Sequence, residues 1–271
     1  MIHEKIYFDE SDERVWLDTY AVCDPVISPR DTVLVIPGGG YRGVSAREGR
    51  YTALALLGRG INAFVLKYST GEAARYPRQL LDAAKALKYI KENAEKYNVN
   101  KDRIFALGYS AGGHLLGTLA TKHGFAEKQL GLPENYLKVR GAIFCYPVVT
   151  AHGPTHEGSF LNLMKKPLSE YTDAERDELS IELCVNSETP PAFIWHTSED
   201  KSVPIDGSLK LCLAYKNAGL PVELHIYPYG PHGAALGTDY TSDGKADHIQ
   251  PRVVAWLDEA LKWMKDLDNG H

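Results

Sequence analysis

Short apolar runs alternate along this chain with segments of helical periodicity. Six runs rich in Val, Ile and aromatic residues predict β-strands, at 32–36, 62–68, 103–107, 141–147, 192–196 and 222–227. Several are apolar throughout, which is typical of strands buried on both faces of a parallel sheet. The opening segment 15–22 alternates between polar and apolar residues and predicts a hairpin at the edge of the sheet.

Five segments between these strands have helical spacing, at 47–58, 77–97, 111–123, 207–218 and 249–267. In the second of them Leu80, Leu87 and Ile90 recur on one face, and Pro77 stands at a first-turn position. Regular alternation of strands and helices predicts a doubly wound α/β fold, with a mostly parallel sheet and helices on both faces.

The 271 residues are interpreted as a single domain, 1–271, because no linker or block of charge divides them. Segment 152–189 mixes Gly, Pro and acidic residues between two strands and is too long for a plain connection in a compact domain. We therefore expect a small cap or lid there. A surface excursion without a role is the alternative.

The formal net charge of −5 and the lack of a local Lys/Arg cluster argue against nucleic acid and anionic membranes as partners and favour a small molecule. The opening residues lack the apolar run of a secretory signal, and no stretch approaches the roughly 18 apolar residues of a membrane span. The four cysteines form no C-x-x-C pair, which suits a reduced compartment. We expect a cytoplasmic protein without metal or cofactor, and a homo-oligomer is left open.

A candidate nucleophile lies in Gly108-Tyr109-Ser110-Ala111-Gly112, between a predicted strand and a predicted helix. This context is the one that a G-x-S-x-G nucleophile turn requires, because small flanking residues let strand and helix approach closely around the serine. The turn would also place Ser110 at a helix N-terminus, which favours a developing oxyanion. A structural Gly-rich turn is the alternative interpretation.

Three consecutive glycines follow the strand at 32–36, and they let the main chain approach a ligand and offer its amides. We expect Gly39, Gly40 and Ala111 to be the oxyanion donors. A phosphate-binding loop is the rival hypothesis, but neither G-x-G-x-x-G nor a Walker lysine is present.

Acid and base candidates follow later strands. Asp200 lies after the strand at 192–196, with Glu199 beside it as its competitor, and His232 lies on a Gly/Pro-shaped loop after the strand at 222–227. The resulting chain order of Ser, Asp and His is the one expected of an α/β-hydrolase triad.

Other polar and aromatic residues have weaker signals. His196 lies within a predicted strand and is interpreted as a core histidine, and His114 is interpreted as packing against the nucleophile turn. Candidate substrate contacts are Tyr41, His152, His156 and Trp195. Each of these four could equally serve packing or lie in solvent.

At these motifs the chain resembles the α/β-hydrolase esterases, and more narrowly the bacterial acetyl esterases and acetyl xylan esterases. The resemblance rests on PGGGY at 37–41, GYSAGGH at 108–114, TPPAFIWHTSEDKSVP at 189–204 and VELHIYPYGPHG at 222–233. Two departures stand out. Pro37 replaces the histidine that many relatives have before the glycines, and Glu199 precedes Asp200 where relatives often have Asp or Ala.

The resemblance implies hydrolysis of short acyl esters, with acetyl on a carbohydrate such as xylo-oligosaccharides as the expected substrate. A formamidase or a peptidase of the same fold is the alternative, because amidases and esterases share these residues. A non-catalytic binding protein is a further alternative, although such proteins typically lose a triad member.

Overall fold

The predicted strands form one sheet in a computed structural model, which describes residues 1–8, 13–23, 28–72 and 74–267. Each predicted core strand is confirmed, with bounds that differ by a few residues. The strands are β1 (Lys5–Tyr7), β2 (Trp16–Tyr20), β3 (Arg30–Ile36), β4 (Asn62–Lys67), β5 (Val99–Tyr109), β6 (Ala142–Cys145), β7 (Ala192–Thr197) and β8 (Val222–Tyr227).

The strand order across the sheet is β1-β2-β4-β3-β5-β6-β7-β8. Strands β3 to β8 pair in parallel, whereas β2 pairs antiparallel with both β1 and β4. The hairpin that the sequence predicts at the sheet edge is therefore present, and β1 is its outer strand. Because parallel strands end on the same side, the loops after β3, β5, β7 and β8 meet at one edge of the sheet.

Helices cover both faces of the sheet, as the alternating pattern predicts. The helices are α1 (Ala46–Leu57), α2 (Arg78–Glu92), α3 (Ala111–Leu130), α4 (Glu157–Met164), α5 (Asp173–Leu179), α6 (Ile181–Cys184), α7 (Asp206–Asn217) and α8 (Trp256–Asp266). On one face α1 and α8 pack through Leu56, Trp256 and Ala260, and on the other face α2, α3 and α7 pack through residues such as Leu80 and Leu116.

Three helices depart from their predicted lengths. Helix α2 ends at Glu92, five residues before the predicted end at 97, because Asn93 has a non-helical φ of −105° and ψ of 22°. Helix α3 continues to Leu130, seven residues beyond the predicted end at 123, after a kink where Lys122 has φ −126° and ψ 23°. The last helix begins at Trp256 and not at 249, because a turn at 251–252 and a 3-10 turn at Val253–Ala255 occupy the start of that segment.

The insertion at 152–189 folds into α4, α5 and α6, and Thr172 caps α5 through a reciprocal hydrogen-bond pair with Glu175. Ile181 of α6 packs so closely on α3 that a side chain at Gly117 would overlap it. Within the residues that the structure describes, no helix combines the length and the apolar character that a membrane crossing needs.

Candidate active site

Ser110 stands on a sharp turn between β5 and α3. Its φ of 52° and ψ of −120° are an unusual conformation for a residue with a side chain, and such conformations store strain. Backbone hydrogen bonds hold it there, since its amide donates to Cys145 O at 3.0 Å and its carbonyl accepts from Val148 N at 3.0 Å. The strained turn places the hydroxyl at the edge of the sheet where the loops meet.

Steric contacts require glycine on both sides of Ser110. A Cβ on Gly108 would lie 2.5 Å from Gly112 O, and a Cβ on Gly112 would overlap the carbonyls of Ile36 and Pro37. Strand β5, helix α3 and the end of β3 can therefore approach one another only with glycine at both positions. This contact is the physical reason for the G-x-S-x-G spacing seen in the sequence.

The structure brings Ser110, His232 and Asp200 into one hydrogen-bonded chain. His232 Nε2 lies 2.9 Å from Ser110 Oγ, and His232 Nδ1 lies 2.6 Å from Asp200 Oδ2. Because a carboxylate oxygen only accepts, Nδ1 carries a hydrogen and Nε2 is the free base that faces the serine. This arrangement is the geometry of a Ser-His-Asp triad.

Asp200 is buried and held from four directions. Its Oδ1 accepts from the amides of Ser202 and Val203, each at 2.9 Å, and its Oδ2 accepts from His196 Nε2 at 3.2 Å as well as from His232. Burial by itself raises the pKa of Asp200, but the hydrogen bonds from the two histidines, the charge of His232 and the Val203 amide outweigh it and hold the pKa well below its usual range. Asp200 is therefore a fixed negative charge.

Glu199, the competing acid, points elsewhere. It is exposed, and its Oε2 accepts from Gly230 N at 3.3 Å. The structure therefore places the carboxylate of Asp200, and not that of Glu199, against His232.

His196 is a core histidine, as the sequence analysis expected, and it also touches the acid. Its Nε2 lies 3.0 Å from Val203 O and 3.2 Å from Asp200 Oδ2, while its Nδ1 lies 2.8 Å from Ser208 Oγ. Since Val203 O can only accept, Nε2 carries the hydrogen and Nδ1 accepts from the Ser208 hydroxyl.

The glycine loop after β3 turns its main chain toward Ser110. Gly39 and Gly40 have φ values of 132° and 60°, and a Cβ on Gly38 would lie 2.9 Å from Ser110 Cβ. Among the described residues, no protein acceptor bonds the amides of Gly39, Gly40 and Ala111. These three predicted donors are therefore free to bind an oxyanion.

The carboxylate of Glu48 lies beneath this loop. It is 4% exposed, its Oε2 accepts from Gly38 N at 2.8 Å, and its Oε1 accepts from Tyr146 Oη at 2.9 Å. Tyr146 Oη in turn accepts from Ala235 N at 3.1 Å, and its ring lies edge-on to His232 with centroids 5.0 Å apart. Glu48 thus connects the glycine loop with the loop that carries His232.

Ser110 and His232 open into a cleft of about 730 Å³. Among the lining residues that the structure describes, Pro231 is the one whose side chain is a plain hydrocarbon; the remainder are glycines and polar or charged residues. The polar and charged members besides Ser110 and His232 are Arg42, Ser45, Arg47, Glu48, His156, Asn162, Ser202, Lys245 and His248. Such a lining suits hydroxyl-rich ligands better than long acyl chains.

Of the four candidate substrate contacts, His156 lies in the cleft. Its ring carbon Cε1 is 3.5 Å from the position of a Cβ on Gly40, and its Nδ1 is 2.8 Å from Ser159 Oγ. Burial, followed by the charge of His232, lowers the pKa of His156, against an opposing effect of Asp200. His156 is therefore favoured in its neutral form.

The other three candidates lie elsewhere. Tyr41 is buried, and its hydroxyl bonds to His114 Nδ1 at 2.8 Å; Trp195 is fully buried in β7. His152 lies on the surface, where Nε2 is 2.8 Å from Asp177 Oδ1. These placements differ from the expectation because the residue after the three glycines turns back into the core, and Trp195 faces Trp256.

Sequence reasoning missed Glu48 and Asn162. The amide of Asn162, on α4 of the insertion, donates to Gly40 O at 2.9 Å, so the insertion holds the glycine loop. Neither residue has a local signal, because Glu48 bonds Tyr146 across 98 residues of chain and Asn162 bonds Gly40 across 122 residues. The nearest hint for Asn162 was the position of the insertion between two strands that end at the site.

Comparison with known proteins identifies the family to which the chain belongs. The BD-FAE family model matches residues 18–214 of the chain. Endo-1,4-beta-xylanase B of Butyrivibrio fibrisolvens is 36% identical over 217 residues, which cover 78% of this chain and 33% of that protein. Acetylxylan esterase of Xylanibacter ruminicola is 30% identical over 223 residues, which cover 80% of this chain and 44% of that protein.

The chain thus spans less than half the length of these two curated relatives. A solved structure matches it almost end to end: the acetyl ester-xyloside bifunctional hydrolase from Caldicellulosiruptor lactoaceticus has a TM-score of 0.80 and 30% identity, and the match covers 98% of this chain and 96% of that one. The sheet order and these matches agree on the fold. The chain belongs to the BD-FAE family of α/β hydrolases.

Proposed function

We propose that this protein is a serine esterase that removes short acyl groups, acetyl above all, from carbohydrates such as xylo-oligosaccharides. The observation that carries the proposal is the hydrogen-bonded chain Ser110–His232–Asp200 beside three free main-chain amides. The acetylxylan esterase and the acetyl ester-xyloside hydrolase among the similar proteins support the substrate class.

The order of chemical steps follows from which atoms of Ser110, His232 and Asp200 carry a hydrogen. Ser110 Oγ attacks the ester carbonyl while His232 Nε2 takes the hydroxyl proton, and Asp200 stabilises the imidazolium that forms. The carbonyl oxygen becomes an oxyanion, for which the amides of Gly39, Gly40 and Ala111 are the donors. The imidazolium then gives its proton to the departing alkoxide, and the alcohol leaves.

Deacylation repeats the sequence with water as the nucleophile. His232 Nε2 takes a proton from water, the hydroxide attacks the acyl carbon, and the oxyanion forms in the same place. The serine recovers its proton from His232 as the carboxylic acid leaves. With the ester and one water as reactants, the proton carried by His232 balances both halves of the reaction.

The lining of the cleft supports a short acyl group and a polar alcohol. A long acyl chain gains affinity by burying methylene groups, at about 0.8 kcal/mol for each one buried. Pro231 is the hydrocarbon side chain that the described lining offers, so chain length adds little binding energy. Hydroxyl groups of a sugar instead find donors and acceptors in Ser45, Asn162 and Ser202.

The test is hydrolysis of p-nitrophenyl esters from acetate to octanoate, together with acetate release from acetylated xylo-oligosaccharides. We expect a steep preference for acetate and release from the sugar, both abolished in Ser110→Ala. Ser187→Ala, on an exposed turn, is the matched control. Labelling by an organophosphonate, lost in Ser110→Ala, distinguishes a catalytic serine from a binding protein.

Preference for octanoate would overturn the acetyl assignment. Labelling without hydrolysis of any ester would overturn the esterase assignment and leave formamides and peptides as the substrates to assay.

A further inference from the structure

The cleft is more positive than the chain around it. Arg42, Arg47 and Lys245 line it, whereas the chain has a formal net charge of −5. Glu48 is the acidic member of the described lining, and it is 4% exposed with both oxygens already accepting hydrogen bonds. The neighbouring Asp247 lies outside the lining.

These cations are held to different degrees. Arg47 is fixed, because its Nη1 donates to Thr241 O at 2.7 Å and its Nη2 lies close to Gly233, next to His232. Arg42 and Lys245 are exposed, and their side chains form no hydrogen bond or ion pair with the part of the chain that the structure describes. Two cations at the mouth of the cleft are therefore available to a ligand.

A second groove lies on the other side of Ser45. It has a volume of about 560 Å³ and shares Ser45 with the cleft, and Lys5, Arg50 and Lys67 line it. Asp18 is its acidic residue, and its carboxylate already accepts from Trp16 Nε1 at 3.0 Å. Positive side chains therefore continue on both sides of Ser45.

An excess of one charge in a cleft raises the local concentration of ligands of the opposite charge. The hydrocarbon-poor lining excludes a fatty acid as this anion, while Asn162 and Ser202 match sugar hydroxyls. A carboxylate carried by a sugar satisfies both conditions, because it combines a negative charge with a hydroxyl-rich body.

We propose that the cleft selects esters of acidic carbohydrates, with a sugar carboxylate against Arg42 and Lys245 and the acyl group at Ser110. The remainder of a longer saccharide follows the groove past Ser45 toward Arg50. This proposal rests on the proposed esterase function and narrows its substrate to carbohydrates that carry uronic acids.

The first experiment compares kcat/KM for 4-acetoxybenzoate with kcat/KM for phenyl acetate. The ratio cancels general effects of a substitution on the chemistry. Relative to the double variant Arg42→Glu/Lys245→Glu, we expect the wild-type ratio to be roughly tenfold higher or more, the range that a few exposed charge contacts supply. The wild-type ratio should also fall at 1 M salt, where the Debye length is about 3 Å.

The matched control is Lys128→Glu/Lys216→Glu, which makes the same charge change on exposed positions of α3 and α7 away from the cleft. We expect it to keep the wild-type ratio. Equal ratios in all three proteins, with both esters hydrolysed, would overturn the acidic-carbohydrate proposal and leave the esterase function standing. Failure of folded wild-type protein to hydrolyse either ester would instead overturn the esterase function itself.

The second experiment tests the groove with acetylated xylo-oligosaccharides that carry uronic acid. Arg50→Glu should lower kcat/KM for these by a larger factor than it lowers kcat/KM for 4-acetoxybenzoate, because the small ester is too short to pass Ser45. An unchanged value for the acidic oligosaccharide would overturn the extended path along the groove.

Discussion

The carboxylate of Glu48 accepts a hydrogen bond of 2.8 Å from the amide of Gly38, which anchors the first glycine of the oxyanion loop to helix α1. Its other oxygen accepts from Tyr146, whose ring packs edge-on against His232. One buried side chain therefore sets the position of two loops that must meet correctly at Ser110.

Replacement of Glu48 should impair the chemical step more than substrate binding. Glu48→Ala frees the Gly38 amide and the Tyr146 hydroxyl, and a displacement of the donors by about 1 Å costs on the order of 100-fold in rate. We expect kcat to fall by roughly that factor, with a smaller change in KM, and Glu48→Gln to lose less because it keeps an acceptor.

Steady-state kinetics on a short ester measures both values. Glu259→Ala, on the outer surface of α8, is the matched control, and a melting curve checks that each variant is folded at the assay temperature. A rise in KM at unchanged kcat would show that Glu48 binds substrate and does not position the loop.

Added volume at Gly38 should act directly on the nucleophile. A Cβ there would lie 2.9 Å from both Ser110 Cβ and Glu48 Oε2, so Gly38→Ala must move the loop or the serine. We expect kcat to fall about 100-fold or more. Gly43→Ala in the same loop is the control, since a Cβ there meets no atom within 4 Å and its activity should remain near wild type.

Mutations of the two adjacent carboxylates after β7 should have clearly different effects on kcat. Asp200→Asn removes the negative charge from His232 and favours the wrong tautomer, which costs about 10⁴-fold in kcat in serine hydrolases. Glu199→Gln should change kcat by less than about threefold, because its exposed side chain bonds the Gly230 amide and not the triad. A larger loss for Glu199→Gln than for Asp200→Asn would reverse the assignment of the acid.

The buried His114 should make the fold sensitive to acid. Its Nδ1 accepts from the Tyr41 hydroxyl, its Nε2 donates to Leu179 O, and burial lowers the pKa of His114 to about 4. Since the folded pKa lies below the unfolded value of about 6.5, the unfolded chain binds this proton first. The contribution to stability is therefore complete above pH 6.5 and is lost progressively as the pH falls toward 4.

Denaturant unfolding between pH 7 and pH 4 measures this effect. The loss attributable to His114 is at most about 3 kcal/mol, and the slope of unfolding free energy against pH should be smaller in His114→Gln. Because slopes are compared, a difference in stability between the two proteins at neutral pH does not affect the test. Equal slopes in both proteins would show that His114 is protonated as easily in the folded state as in the unfolded chain.

The sequence predicted the sheet and the triad because their signals are local. A strand buried on both faces appears in the sequence as a continuous apolar run. The close approach that requires glycine at Gly108 and Gly112 likewise appears within five consecutive residues. Asp200 and His232 each follow a recognisable strand, so the end of that strand determines where they lie.

Glu48, Asn162 and Tyr41 could not be predicted in this way. In the sequence Glu48 is an ordinary polar residue near the start of a helix, and its buried carboxylate bonds Tyr146, which is 98 residues away in the chain. Tyr41 was expected at the substrate because it adjoins the glycines, but its positive φ of 58° turns it toward His114. Contacts between distant segments determined each of these outcomes.

The conformation of Ser110 sets stability against the proposed activity. A residue with a side chain at φ 52° and ψ −120° costs on the order of 1–3 kcal/mol, and glycine would relieve most of that strain. Under the proposed esterase function, substitution by glycine would make the fold more stable and would remove the nucleophile. Stability and turnover therefore place opposite demands on this one position.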